Sequence, residues 1–164
     1  MAWTRRRLTS PVQVVEEIAR GWMSISGIIN THFIVAYLLL QHGTEEQKQK
    51  YVPGALSGEE IWCQGFSEPD AGSDASSLRC KATLDGDEYV LNGTKQWITN
   101  GGEADIYTVI AMTNRAKGPR GASAFIVEKG TPGFSFGKKE DKMGIRASAT
   151  RELIFEDCRV PVEN

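Results

Sequence analysis

Ile61-Trp62-Cys63-Gln64-Gly65-Phe66-Ser67-Glu68-Pro69-Asp70-Ala71-Gly72-Ser73-Asp74 and, further on, Asn92-Gly93-Thr94-Lys95-Gln96-Trp97-Ile98-Thr99-Asn100-Gly101-Gly102 decide how this chain reads. In the first stretch, Ile61 to Phe66 has the composition of a strand, and it breaks into a loop dense in turn formers and small hydroxyls. In the second, a strand delivers a Trp and a Thr to the edge of a Gly-rich turn. An aromatic face next to hydroxyl donors suits a flat ligand with polar edges, because the ring can stack while the hydroxyls read its rim.

Around these two stretches the chain alternates in the manner of strands. Leu78 to Leu84 switches between small or apolar and polar residues, the pattern of a strand with one wet face. Asp85-Gly86 turns it back into Tyr89-Val90-Leu91, and Asn92-Gly93 is a second tight turn before Lys95 to Thr99. Ile106 to Met112 and Ala122 to Val127 are apolar runs of strand length, Gly130 to Gly133 is a turn, and Glu152 to Phe155 a last strand. Short strands separated by Gly-rich turns predict an antiparallel barrel or sandwich.

Ahead of Ile61 the period is helical. Ser10-Pro11-Val12-Gln13 is a helix start, with a hydroxyl cap, Pro at the first helical position and Gln at the third. Val12, Val15, Ile18 and Ala19 then share one face, and Gly21 interrupts. A second helix is expected from Trp22 to Gln41 with a break near Asn30-Thr31-His32. A third follows the capping box Thr44-Glu45-Glu46-Gln47. The change of period near Glu60 predicts an α+β chain, with a helical segment over 1–60 followed by an antiparallel β-barrel over 61–164.

The 164 residues carry a net charge of −2 with acids and bases interspersed, which points away from nucleic acid. Arg5-Arg6-Arg7 is short and terminal and reads as a disordered end, with a nucleic-acid arm the remote alternative. Phe33 to Leu40, the longest apolar run, is short of a membrane span, and no signal-peptide core follows the arginines. Cys63, Cys80 and Cys158 are odd in number and show no CxxC, so they read as reduced packing residues of a cytoplasmic protein.

Ser67 to Asp74 resembles the T-E-P-x-A-G-S-D segment of the acyl-CoA dehydrogenase family, and Asn92 to Gly101 resembles its N-G-x-K-x-W-I-T-N-G segment. Lys142 to Ser148 together with Phe155 to Pro161 is similar to the end of that family's middle domain. Three ordered matches are far more specific than any one. The resemblance implies a helical amino-terminal domain, a β-barrel middle domain and, behind them, a carboxy-terminal four-helix domain, so the chain reads as a fragment. It also implies FAD, an acyl-CoA substrate, electron-transferring flavoprotein as partner, and a homo-oligomer. No G-x-G-x-x-G follows a strand, so a Rossmann mode of dinucleotide binding is not expected.

Carried over by the resemblance, Phe66, Ser67, Trp97, Ile98 and Thr99 fall where the family lines the flavin ring. Gly72 and Ser73 fall near the FAD pyrophosphate, Ser73 also near the thioester, and Lys142 and Arg120 on the CoA side. Ser67 replaces the family's Thr and keeps the hydroxyl, while Gln64 departs from an aromatic common in parts of the family. The family's chemistry is α,β-dehydrogenation of an acyl-CoA, with a carboxylate base in the carboxy-terminal domain; no residue here is assigned that role. On composition alone a Trp within a strand is more often core than platform, and the matched motif reverses that expectation. Glu68, Asp70 and Asp74 lack EF-hand spacing and read as loop caps, and His32 and His42 as packing or surface residues. An acyl-CoA oxidase, distinguished by oxygen consumption, and a non-catalytic remnant binding CoA esters or subunits stand as alternatives.

Overall fold

The computed structural model describes residues 9–164; the Arg5-Arg6-Arg7 cluster lies outside the described residues. Two helices come first, α1 (Thr9–His42) and α2 (Glu45–Ser57). The interruption expected at Gly21 appears one residue on, as a kink at Trp22 with φ −160° and ψ 101°. The break expected near His32 does not occur. There the imidazole is held from both sides: Trp62 N–H donates to Nδ1 at 3.2 Å, and Nε2 lies 3.1 Å from the Ala55 carbonyl. α2 opens on the predicted capping box, with Thr44 and Gln47 bonded reciprocally, and ends at Gly58 with φ 77°.

The strands are β1 (Trp62–Gly65), β2 (Lys81–Asp85), β3 (Glu88–Thr99), β4 (Ile106–Met112), β5 (Ala122–Glu128), β6 (Phe134–Phe136) and β7 (Thr150–Pro161). They form one curled sheet in the order β1-β4-β2-β3-β7-β6, with β5 paired to β4. Helices followed by a barrel-like sheet is the architecture expected. Within it the sheet is mixed, because β1 pairs β4 in parallel from Trp62↔Ile106 to Gly65↔Val109. Asp105 sets that register: its N–H donates to Ile61 O at 2.8 Å, and its carboxylate accepts from Ile61 N–H at 2.9 Å.

The sheet wraps a core that includes Leu91, Tyr107, Val109, Phe125, Leu153 and Phe155. Phe134 and Phe155 stack with ring centroids 4.8 Å apart. A second apolar cluster joins the helices to the sheet through Val35, Tyr51, Ala55, Trp62, Ile106 and Ile126. By length and composition, α1 from Pro11 to His42 is sufficient to cross a membrane, which the sequence reading did not foresee. In this fold Val35 of that helix is buried on the sheet, while Phe33, Ile34, Tyr37 and Leu40 are exposed.

All three cysteines are free and buried. Burial pushes the thiols of Cys80 and Cys158 up to about 11 and raises that of Cys63 as well. None should therefore react with an aromatic disulfide reagent at pH 8 in the folded protein, and all three should react in denaturant; rapid native labelling of any one would contradict this packing.

Candidate functional site

The loop after β1 is built around Glu68. Its backbone forms a closed pair with Ala71, N–H to O at 2.9 Å one way and 3.1 Å the other, which ties off the Pro69-Asp70 turn. The side chain turns inward and is 6% exposed. There the carboxylate accepts from Arg79 N–H at 2.6 Å and Cys80 N–H at 3.0 Å. These two amides belong to the residues just ahead of β2, so β2 starts at Lys81 rather than at Leu78, where the alternation begins.

The third partner of Glu68 comes from β3. Lys95 is 0% exposed; its ammonium sits 2.7 Å from Glu68 Oε1 and donates to Phe66 O at 3.1 Å. A buried carboxylate is tolerable when its lone pairs meet charged and backbone donors in this way. Gln96 N–H then donates to Ser67 O at 2.8 Å, and Cys63 Sγ to Thr99 O at 3.1 Å. The loop segment Phe66-Ser67 is thereby laid beside the Gln96–Thr99 end of β3.

Simple alternation along β3 would send Leu91, Lys95 and then Trp97 into the core. The ladder to β7 breaks that pattern: Lys95 pairs with Leu153, but the next pair is Ile98 with Arg151, so β3 carries one extra residue. Ile98 takes the inward place at 3% exposure, and Trp97 is turned out to 61% with φ 61°. A left-handed conformation at a bulky aromatic costs on the order of 1–3 kcal/mol. That cost, at a residue presenting its ring to solvent, marks a place where the ring has something to meet.

Beyond Thr99 the chain turns at Asn100, φ 65°, whose side-chain amide donates to the carbonyls of Trp62 and Ile28 at 3.3 and 3.4 Å and so ties the turn to α1. Gly102 follows with φ 80°; a side chain there would meet Arg151 at 2.8 Å. Its N–H donates to the buried Tyr107 hydroxyl at 3.1 Å. The hydrogen bonds made at Ser67 and Thr99 use their carbonyls, and among the described residues neither hydroxyl has a partner. Gly72 and Ser73 lie exposed on the rim of the same loop.

A family model of the acyl-CoA dehydrogenase middle domain matches residues 63–158, and one of the acyl-CoA dehydrogenase N-terminal domain matches residues 6–59. The chain belongs to the acyl-CoA dehydrogenase family. It is 51% identical over 156 residues to the short-chain specific acyl-CoA dehydrogenase of Clostridium acetobutylicum, covering 94% of this chain and 41% of that protein. Butyryl-CoA dehydrogenase from Megasphaera elsdenii superposes with a TM-score of 0.88 at 48% identity, over 92% of this chain and 40% of the other. A glutaryl-CoA dehydrogenase from Mycobacterium smegmatis in complex with FADH2 gives 0.85 at 35% identity, over 91% and 38%. The chain thus spans about two fifths of the length of these acyl-CoA dehydrogenases.

Of the residues singled out by motif, Ser67, Trp97 and Thr99 are brought near one another by the backbone bonds between the loop and β3, with Gly72 and Ser73 on the adjoining rim, whereas the Phe66 ring packs against Ala71, Leu78 and Met112. Ile98 differs: its side chain belongs to the core, so only its backbone can meet a ligand. Lys142 donates to Ser148 O at 2.7 Å and Thr150 Oγ1 at 2.9 Å; Thr150 is the ladder partner of Thr99, which places that ammonium at the Thr99 end of the site. Arg120 is exposed on the Arg115–Gly121 turn, and that turn shares a cleft of about 320 Å³ with Ser76 and Ser77. Asp74 caps the Ala75–Ser77 turn, and these hydrogen bonds to Ser76 hold its carboxyl below the usual range. Asp70 pairs with Arg79 at 2.8 Å. Glu68 caps as expected but also carries a buried ion pair that motif reading missed. The signal was Lys95, a charge at an inward position of a strand.

The two tryptophans of the barrel should respond very unequally to truncation. Trp62→Ala removes a side chain 1% exposed and should cost about 3–5 kcal/mol. Trp97→Gly also relieves a left-handed backbone and should change stability by no more than about 1–2 kcal/mol. Denaturant titrations that show equal losses would place Trp97 in the core.

Proposed function

We propose that this face binds FAD and that the protein acts within an FAD-dependent acyl-CoA dehydrogenase, with an acyl-CoA thioester as substrate and electron-transferring flavoprotein as electron acceptor. The observation that carries the reading is Trp97, an aromatic platform turned out of its strand at the cost of backbone strain, beside two hydroxyls without a hydrogen-bond partner among the described residues. Those residues fit an isoalloxazine: a flat ring to stack on Trp97, and a polar edge for Ser67 and Thr99. FAD, when bound, supplies the acceptor for the hydrogen that leaves the acyl β-carbon.

The chain's own residues bind and orient. With FAD bound, Trp97 would set the plane of the ring, and Phe66, packed on Ala71, Leu78 and Met112, would support the loop beside it. The Thr99 and Ser67 hydroxyls would donate to the ring edge and favour negative charge there, more strongly in a groove closed to water. Ser73 and the open backbone at Gly72 face phosphate and thioester oxygens, and Lys142 and Arg120 contribute positive charge toward the CoA moiety. No residue of this chain is given the role of base. The exposed Phe33, Ile34, Tyr37 and Leu40 of α1 support burial against a second subunit.

Trp97→Ala should weaken FAD binding by about 1–3 kcal/mol, the stacking and area an aromatic supplies. In dissociation constants that is roughly 5- to 150-fold, read by quenching of flavin fluorescence. Unchanged affinity in the folded variant would remove the central support for the flavin reading.

A further inference from the structure

The Glu68–Lys95 pair touches nothing outside the protein, and as a source of stability it is an inefficient choice. Taking both charges out of water costs nearly what their attraction returns, and an apolar pair of similar volume often serves stability as well or better. What an apolar pair cannot do is hold backbone at defined points. The pair fixes Phe66 O, Arg79 N–H and Cys80 N–H at one place, together with strand β3 at Lys95. The bulge begins at the very next residue, where Gln96 N–H points to Ser67 O instead of extending the regular ladder. Trp97 comes next, left-handed and exposed. Ile98, buried 3% exposed on the far side, re-enters the ladder opposite Arg151. The strained residue is clamped between two buried anchors, of which Lys95 is the polar one.

We propose that Glu68 and Lys95 are positioning residues for the ligand face: their ion pair sets the Trp97 bulge and the spacing between its ring and the Ser67–Ser73 loop. The ligand half of this proposal rests on the flavin reading given above; the mechanical half does not. Without the pair, the loop loses its side-chain tie to β3 at Lys95, and only the β7 ladder on one side and the single Gln96 N–H to Ser67 O bond on the other hold the strand next to the bulge. Trp97 then relaxes toward an ordinary extended conformation, and the ring leaves the plane that a ligand would meet.

The double variant Glu68→Gln/Lys95→Met separates position from stability, because it removes the pair while keeping volume and leaves no lone buried charge. The full chain is labelled with 5-fluorotryptophan, giving four fluorine resonances, one for each tryptophan, assigned by single Trp→Phe changes. In the folded double variant the Trp62 resonance should stay in place, while that of Trp97 shifts or broadens and the FAD dissociation constant rises at least tenfold. Should the double variant not fold, Glu68→Asp, which keeps the charge but withdraws the carboxylate by one methylene, should fold and show the same Trp97 shift with a several-fold loss of FAD affinity. An unmoved Trp97 resonance in either folded variant overturns the proposal. If the parent chain binds no FAD at all, the flavin reading fails, and the Trp97 resonance alone still decides whether the pair positions the ring.

Discussion

The ammonium of Lys95 lies inside the barrel with none of its side chain reaching water, and the surrounding fold meets that cost with one carboxylate and one carbonyl. Removing a single partner from a buried pair costs about 3–5 kcal/mol, a large share of the roughly 5–15 kcal/mol that holds a domain folded. Three local features meet at this contact. The Pro69-Asp70 turn is closed over Glu68, β2 is delayed until Lys81, and the bulge of β3 opens directly after Lys95. Local structure and packing thus converge on one ion pair, immediately ahead of the bulge that exposes Trp97.

The helices are fastened to the same region by polar contacts at the edge of an apolar cluster. Asn100 reaches the backbone of both Ile28 and Trp62, and His32 bridges Trp62 and Ala55. Both residues act where the Gly-rich turn, β1 and α1 meet. On the opposite side of the helices, Lys50 and the Tyr51 hydroxyl both donate to Glu128, at 2.8 and 2.9 Å, and hold its carboxyl below the usual range. Glu128 is half exposed, so this clamp fastens α2 to β5 without weighing much in stability. The barrel thus offers a rigid seat, and the face bearing Trp97 is placed by contacts on every side except the open one.

Most helical and strand segments were legible because their periods are clean, but the turn expected at Asn92-Gly93 is instead a register shift inside the continuous β3. The capping box at Thr44 and the switch near Glu60 are local signals, and each maps onto a real boundary. The parallel pairing of β1 with β4 was not legible, since it depends on Asp105 meeting Ile61 across forty-odd residues of chain. The three-residue β6 escaped for want of length, being fixed by Phe134 stacking on Phe155 rather than by its own pattern. At the site, the motif located Ser67, Trp97 and Thr99, but alternation alone would have buried Trp97 and exposed Ile98. The bulge reverses them, and a bulge is set by where neighbouring hydrogen bonds go. The one clue in the sequence was Lys95 at an inward position, which demands a buried acid; Glu68 is that acid.

The central claim is that ligand recognition belongs to the face built by residues 66–74 and 96–102. Hydrogen–deuterium exchange of the purified chain, with and without a saturating concentration of FAD, tests it most directly. The account predicts slowed exchange at Ser67, Gly72, Ser73, Thr99 and their neighbours, with the helices and the β4–β5 hairpin unchanged. Protection centred on the helices, or none in these two segments at saturation, would contradict it.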